Sequence, residues 1–192
     1  MRARLRVEGP RGSLVATEPA LDEIGAHASA LADAYNEPHN RGMLANTIEF
    51  TPADVVAHYA AMSREGARPF FLYEDGAFVG DADFRHLSGD HAEFAMLVAS
   101  RSNQGRGLGT ELAILLHAAA FRAFGLARVY VTIGPENAAS LRLFTKLGYT
   151  VDASAEARAY ADEPGDVAMS VTRATFERAH ADVVAGVRIA SV

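Results

Sequence analysis

The feature that most restricts this chain is Gln104-Gly105-Arg106-Gly107-Leu108-Gly109-Thr110. It lies between an apolar run, Phe94 to Ala99, and a helix-patterned run, Leu108 to Phe124. The apolar run reads as a strand. Glycines at such a junction remove side chains where the chain turns sharply, and what they leave is a row of bare N–H groups at a helix N-terminus. First-turn donors lack partners and the helix dipole favours negative charge, so the stretch is a ready anion site, read here as a pyrophosphate cradle. Two phosphate patterns do not fit it. No Lys follows these glycines, against G-x-x-x-x-G-K-[ST], and Thr110 stands where G-x-G-x-x-G needs its third glycine. Q/R-x-x-G-x-G/A does fit, with Gln104, Gly107 and Gly109.

Composition narrows the setting. The 192 residues suit one domain with a full core, and 49% apolar against 22% charged residues describes a globular chain. The absence of cysteine excludes disulfides, thiolate metal sites and cysteine nucleophiles. No run approaches the roughly 18 apolar residues of a membrane helix. Arg2, Arg4 and Arg6 are followed by no apolar segment of a secretory signal, so a cytoplasmic protein without a membrane role is expected. A net charge of −6 argues against a nucleic-acid surface and suits a cationic substrate.

In order along the chain, residues 1–10 read as an irregular basic arm. Residues 12–17 read as a strand, and the stretch after Pro19, with Leu21, Ile24, Ala28 and Leu31, reads as a helix. Residues 35–47 read as a loop. Thr51-Pro52-Ala53-Asp54 opens a second helix, with an N-cap Thr, Pro at N1 and an acid at N3. Phe70 to Tyr73 and Ala77 to Gly80 form a hairpin about Asp75-Gly76. A turn at Ser88-Gly89-Asp90 leads to the strand before the cradle. Leu108, Leu112, Leu115 and Ala119 stripe the next helix. Residues 127–133 alternate as a strand, Pro135-Glu136-Asn137 opens a helix, 149–151 is a short strand, and 167–171 a last one after a polar loop. Residues 173–190 read as an amphipathic helix, packed on its own core or forming a homodimer contact. The order β-α-α-β-β-β-α-β-α-β-β implies an α/β (α+β) fold, a mixed and mostly antiparallel sheet with helices on both faces.

Two further stretches carry a resemblance. Val129 to Ile133, followed by Asn137-Ala138-Ala139-Ser140 and Lys146-Leu147-Gly148-Tyr149, is similar to the N-x-x-[AS]…K-x-G-[FY] segment of the GNAT acyltransferases, and the glycine stretch to their coenzyme A signature. The resemblance covers residues 11–172, between the arm 1–10 and the tail 173–192. Ala92-Glu93-Phe94, Ser140 and Ala159-Tyr160…Gly165-Asp166 resemble the Rim-type branch, which acetylates protein N-termini, and relatives that modify small amines.

The resemblance implies an acetyl-CoA-dependent N-acetyltransferase acting by direct attack in a ternary complex. Gln104, Gly105, Arg106, Gly107, Leu108, Gly109 and Thr110 would hold the pyrophosphate. Met96, Leu97 and Val98, on a strand splayed open by a bulge, would meet the pantetheine arm, an amide near Leu97 the oxyanion, and Asn137 and Ser140 the cofactor. Glu93 is the expected base, with His91, Asp81 and Asp83 as alternatives. Phe144 stands where many members have an acidic Tyr, which shifts the proton-donor role to Ser140, one turn earlier. No metal is expected. Asp81, Asp83, Asp90, Glu37, Tyr35 and Tyr160 are candidates to line the site of the acceptor, a small-molecule amine or a protein N-terminus. The alternative reading is a non-catalytic acyl-CoA-binding sensor.

Overall fold

The computed structural model describes residues 4–44, 48–161 and 163–192. Its frame is an antiparallel meander of β1 (Leu5–Glu8), β2 (Leu14–Thr17), β3 (Arg68–Glu74), β4 (Ala77–Ser88) and β5 (His91–Val98). The β3–β4 hairpin turns where the sequence says it should. Asp75 and Gly76 both take positive φ, 50° and 80°, which a two-residue turn matched to the strand twist requires. Helices α1 (Leu21–Asn36), α2 (Pro38–Met43) and α3 (Pro52–Arg64) lie between β2 and β3. Thr51 caps α3 as expected: its hydroxyl accepts from Asp54 N, and the Asp54 carboxylate accepts from Thr51 N at 2.9 Å.

After β5 the chain crosses through α4 (Leu108–Arg122) to β6 (Arg128–Ile133), parallel to β5. Then follow α5 (Ala138–Lys146), β7 (Thr150–Val151), α6 (Ala155–Arg158), β8 (Val167–Thr172), α7 (Arg173–Ala185) and β9 (Arg188–Ser191). One sheet of order β7-β8-β6-β5-β4-β3-β2-β1-β9 results, antiparallel at every pairing except β5–β6. Strand alternation sends Phe84, Phe94, Val129 and Val131 to the face packed under α4, α5 and α7. The other face carries Phe71 against α1 and α3, and Tyr130 and Ala168 against α6. Among the described residues no helix is long and apolar enough to cross a membrane.

Four segments differ from the sequence reading. Within residues 1–10, whose first three lie outside the described residues, Leu5–Glu8 is a strand. Its alternation is only four residues long and is masked by arginines, yet Val7 is fully buried. Glu18 anchors it, accepting from Leu5 N at 2.7 Å while paired in the interior with Arg68. The loop over 35–47, of which 45–47 lie outside the described residues, contains α2, capped by Glu37 with Pro38 at N1 and too short to show a period. The polar loop after β7 contains α6, capped by Ser154. The tail is not one helix to 190. It kinks at His180 and ends at Gly186, and residues 188–191 pair with β1. Arm and tail therefore extend the same sheet, and Phe176 buries α7 on the molecule's own core.

Candidate active site

The cradle forms as a turn into α4. Gly105 and Gly107 take φ of 74° and 92°, and Gly107 is the N-cap of α4 in the left-handed region, where a Cβ costs roughly 1–2 kcal/mol. Thr110 and Glu111 both donate to the Gly107 carbonyl, at 2.9 and 3.1 Å. The N–H groups ahead of them, from Gly105 to Gly109, are thus left for a ligand, and Gly105, Arg106 and Gly107 are exposed. Gly109 has a packing reason as well: a Cβ there would lie 3.2 Å from Leu143 Cδ1, so its absence lets α5 close on α4.

The Gln104 side chain does not face a ligand. Its Nε2 donates to Val98 O at 2.9 Å and to Asn40 Oδ1 at 3.0 Å. Asn40, 1% exposed, donates in turn to Ala34 O at 3.0 Å and Ala99 O at 2.9 Å. One buried asparagine in α2 therefore ties the end of α1, the end of β5 and the cradle together. Sequence reasoning missed it because it lies in a stretch read as loop; the Glu37-Pro38 helix start was the available signal. Arg106 pairs with Glu74 at 2.8 Å, while Arg142 and Lys146 are exposed on α5.

The strand before the cradle is open on one side. β5 pairs with β6 only over His91, Ala92 and Glu93, opposite Arg128, Val129 and Tyr130. Beyond that, residues 94–98 keep their ladder to β4, while β6 continues with β8 to Ile133. The edge of Met96, Leu97 and Val98 toward β6 is thus free, as the pantetheine reading needs. The expected bulge is not in β5. Both register shifts sit in β4, one between Phe78 and Gly80 and one between Arg85 and Ser88. The opening arises because the parallel ladder stops. Gly80 lies against this stretch of β5: a Cβ on it would sit far inside contact with the Leu97 carbonyl oxygen. At the mouth of α5, Asn137 is 8% exposed and its Oδ1 caps the helix by accepting from Ser140 N at 3.1 Å. Ser140 is half-buried, and Phe144 is turned into the core against Phe94 and Tyr149.

Charge collects on the face of the sheet opposite α4. Glu93, 2% exposed, is surrounded by donors: Arg85 Nε at 2.9 Å and Nη2 at 3.2 Å, His86 Nδ1 at 3.0 Å, and Thr132 Oγ1 at 3.3 Å. The second β4 bulge makes this possible, since it puts His86 at φ 51° with its ring stacked on Tyr160. Asp81 is buried and accepts from Tyr35 at 2.5 Å and Tyr59 at 2.8 Å. Burial raises its pKa and the two hydroxyls partly offset that. Asp83, on the same side of β4, has one oxygen, Oδ1, buried and, among the described residues, without a hydrogen-bond partner, 4.0 Å from Arg85 Nε. Burial pushes its pKa up to about 7, against the pull of Arg85 and with help from Asp81 and Glu93. Tyr35, Asp81 and Asp83 are thus brought together, and the single Thr132 hydroxyl proton is shared between Glu93 and the Tyr160 carbonyl, 3.2 Å away. Glu37 is spent on capping α2. Asp90 and His91 lie at the other end of β5, where His91 is 3.4 Å from Glu156. No group of three His, Asp or Glu among the described residues is placed to hold a metal ion.

A splayed parallel pair, a glycine turn into a crossover helix and a carboxylate-lined sheet face together define an acyl-coenzyme A transferase type of architecture. Residues 21–150 match the family model "Acetyltransferase (GNAT) domain", and the chain belongs to the GNAT acetyltransferases. It is 36% identical over 73 residues to an N-acetyltransferase 9-like protein from Nematostella vectensis; the match spans 38% of this chain and 35% of that one. Its fold is similar to that of the aminoglycoside acetyltransferase AAC(6')-Ib, solved with coenzyme A, at TM-score 0.71 and 22% identity over 86% of this chain and 98% of that one. It is also similar to Mycobacterium smegmatis RimJ, solved with CoA-disulfide, at TM-score 0.71 and 17% identity over 94% and 93%.

Proposed function

We propose that the chain transfers an acetyl group from acetyl-CoA to a primary amine by direct attack within a ternary complex. The observation that carries this is the continuity of unpaired backbone: the open edge of residues 94–98 runs through the Gln104 turn into the free N–H groups of 105–109. An amide-bearing pantetheine arm and a pyrophosphate need such groups in that order. Acetyl-CoA supplies a thioester, already activated for acyl transfer. Gly105 to Gly109 bind its pyrophosphate, the amide near Leu97 serves the developing oxyanion, and Gly109 allows α5 to bring Asn137 and Ser140 to the arm. With Phe144 in the core, Ser140 is the hydroxyl one helical turn earlier on the same side of α5, whereas the Thr145 hydroxyl donates to Leu141 O. A thiol's pKa near 8.5 means the leaving group needs little help.

The acceptor enters from the carboxylate-bearing face. Asp81, Asp83 and Glu93 there are balanced in part by Arg85, and the surplus of negative charge draws an ammonium group. A small-molecule amine and a protein N-terminus both fit this description. The Rim-type branch is favoured by Ala92-Glu93-Phe94 and Ser140. The test is thiol release from acetyl-CoA with spermidine, kanamycin and an alanine-terminated peptide as acceptors. Turnover with one class is expected; tight acetyl-CoA binding with no turnover would replace this reading by the sensor one.

A further inference from the structure

We propose that Asp83, and not Glu93, takes the proton from the acceptor ammonium, with Arg85 and Glu93 acting as the pair that positions it. The inference rests on the acetyltransfer reading above. Glu93 is the residue the sequence offers for this task, but its two oxygens are already met by four donors from Arg85, His86 and Thr132. A carboxylate so occupied has no lone pair directed at an incoming amine without giving up one of those bonds. Asp81 is likewise occupied by two tyrosine hydroxyls. Of the three, Asp83 is the one with a buried oxygen that has no hydrogen-bond partner among the described residues, whereas both tyrosines hold Asp81 at Oδ2.

Its position is the better one as well. Along β5 toward the cradle, Arg85 is opposite Glu93, Asp83 opposite Ala95 and Asp81 opposite Leu97. Glu93 stands on the last rung of the closed β5–β6 ladder, whereas Asp83 stands beside the open part. Ala95, whose side chain shares this face, is only a methyl and is half-buried, so there is room above the strand for an amine. The Asp83 side chain is 15% exposed with Oδ1 itself buried, so the carboxyl lies at the margin of the site and is poorly solvated. The groups that face it are Tyr35 from α1, Asp81 and Arg85 from β4, and Glu93 from β5; from α3, Tyr59 bears on Asp81 and His58 on Arg85. Their balance, with burial as the largest influence, holds Asp83 near the pH at which a base both accepts and releases a proton readily. In the step itself the first ammonium proton goes to Asp83, the N–C bond forms and the C–S bond breaks. The nitrogen's second proton leaves with the sulfur as thiol, and Asp83 returns its proton to solvent.

The experiment has two readouts on the full chain. In the first, carboxyl-carbon NMR with labelled aspartate follows titration, the Asp83 signal being the one lost in Asp83→Asn; a midpoint near 7 is expected. In the second, thiol release with spermidine, kanamycin and an alanine-terminated peptide is measured from pH 6 to 9 for wild type, Asp83→Asn and Glu93→Gln, with acetyl-CoA affinity as the folding control. Asp83→Asn should lower kcat by about 100-fold or more, lose the acid limb of the pH profile and leave acetyl-CoA affinity within twofold. Glu93→Gln should keep an acid limb displaced to lower pH, because a negative neighbour is removed and Arg85 is released toward Asp83. A chain that transfers acetyl groups while Asp83 titrates near 4, or that loses the limb in Glu93→Gln and keeps it in Asp83→Asn, overturns the base assignment alone. A wild type that binds acetyl-CoA and transfers to none of the three acceptors overturns the acetyltransfer reading, and the base with it.

Discussion

The two faces of the sheet solve different problems with the same strands. Under α4 the surface is aromatic and aliphatic, and its buried polar pairs include His117 with Tyr149, joined at 2.6 Å, and Arg68, stacked on Phe124, with Glu18. On the other face the same strands present Asp81, Asp83, Arg85, Glu93 and Thr132, nearly all with partners across strands or helices. The apolar face tolerates any well-packed hydrophobic side chain of similar volume; the charged face depends on each residue in its place. The backbone cradle belongs to neither, being built from amides at the sheet's open seam. A defect in packing, in backbone or in charge should therefore have a distinct signature.

The largest effect is expected where both faces depend on one atom's absence. Gly80→Val would drive β5 outward at Leu97 and cost roughly 3 kcal/mol or more, as overpacking and backbone strain do; thermal unfolding and acetyl-CoA affinity should fail together. A variant with wild-type melting would remove the close approach from the account. Next, Gly107→Val forces a β-branched side chain to a φ of 92°. We expect acetyl-CoA binding to weaken about 30-fold, equivalent to about 2 kcal/mol, with the Asp83 titration unmoved.

The two faces also respond to acid in opposite senses. His117, held neutral by burial down to about 4 against an ordinary 6.5, makes the fold lose stability as pH falls below 6.5, because the unfolded chain takes up the proton first. Asp83, raised from 3.8 to about 7, makes the fold gain stability as pH falls from 7 toward 3.8, because the folded chain takes up the proton first; Asp81 pulls the same way. Each is worth about 2 kcal/mol at pH 5. Denaturant unfolding of the wild type should thus vary little between pH 7.5 and 5. Asp83→Asn should expose the loss and His117→Gln the gain. The smallest effect is expected at the joint: Asn40→Ala leaves Gln104 and Ala99 O short of a partner, costing about 1–2 kcal/mol of stability, with acetyl-CoA binding a few-fold weaker.

What could be read from the chain alone follows the same division. The cradle, the Asp75-Gly76 hairpin and the Thr51 cap are local: each needs a residue type within a few positions of its partner, so sequence shows them. The meander and the crossover followed from them. Asn40 with Gln104, Arg85 with Glu93, and Tyr35 and Tyr59 with Asp81 are joined by pairing registers and helix docking, which no local pattern encodes. Glu93 is offered by its place in a motif, but its set of donors depends on a bulge at His86 that the sequence does not announce. Strand β9 was hidden for another reason: Val187 continues the helical apolar face of α7 in phase, and the break at Gly186 marks the change.

The outer edge of the sheet has a mechanical consequence. β1 and β9 run antiparallel with Leu5 opposite Ser191, and Val192 N donates to Arg4 O at 2.9 Å. The two ends of the ladder lie side by side, so a force drawing Arg4 and Val192 apart acts along the inter-strand hydrogen bonds, which lie perpendicular to the strands. They would be loaded one at a time, like the teeth of a zip, and β9 should peel at low force. The seam at β5 lies five strands inward, so single-molecule stretching through these positions should release the edge well before acetyl-CoA binding is lost.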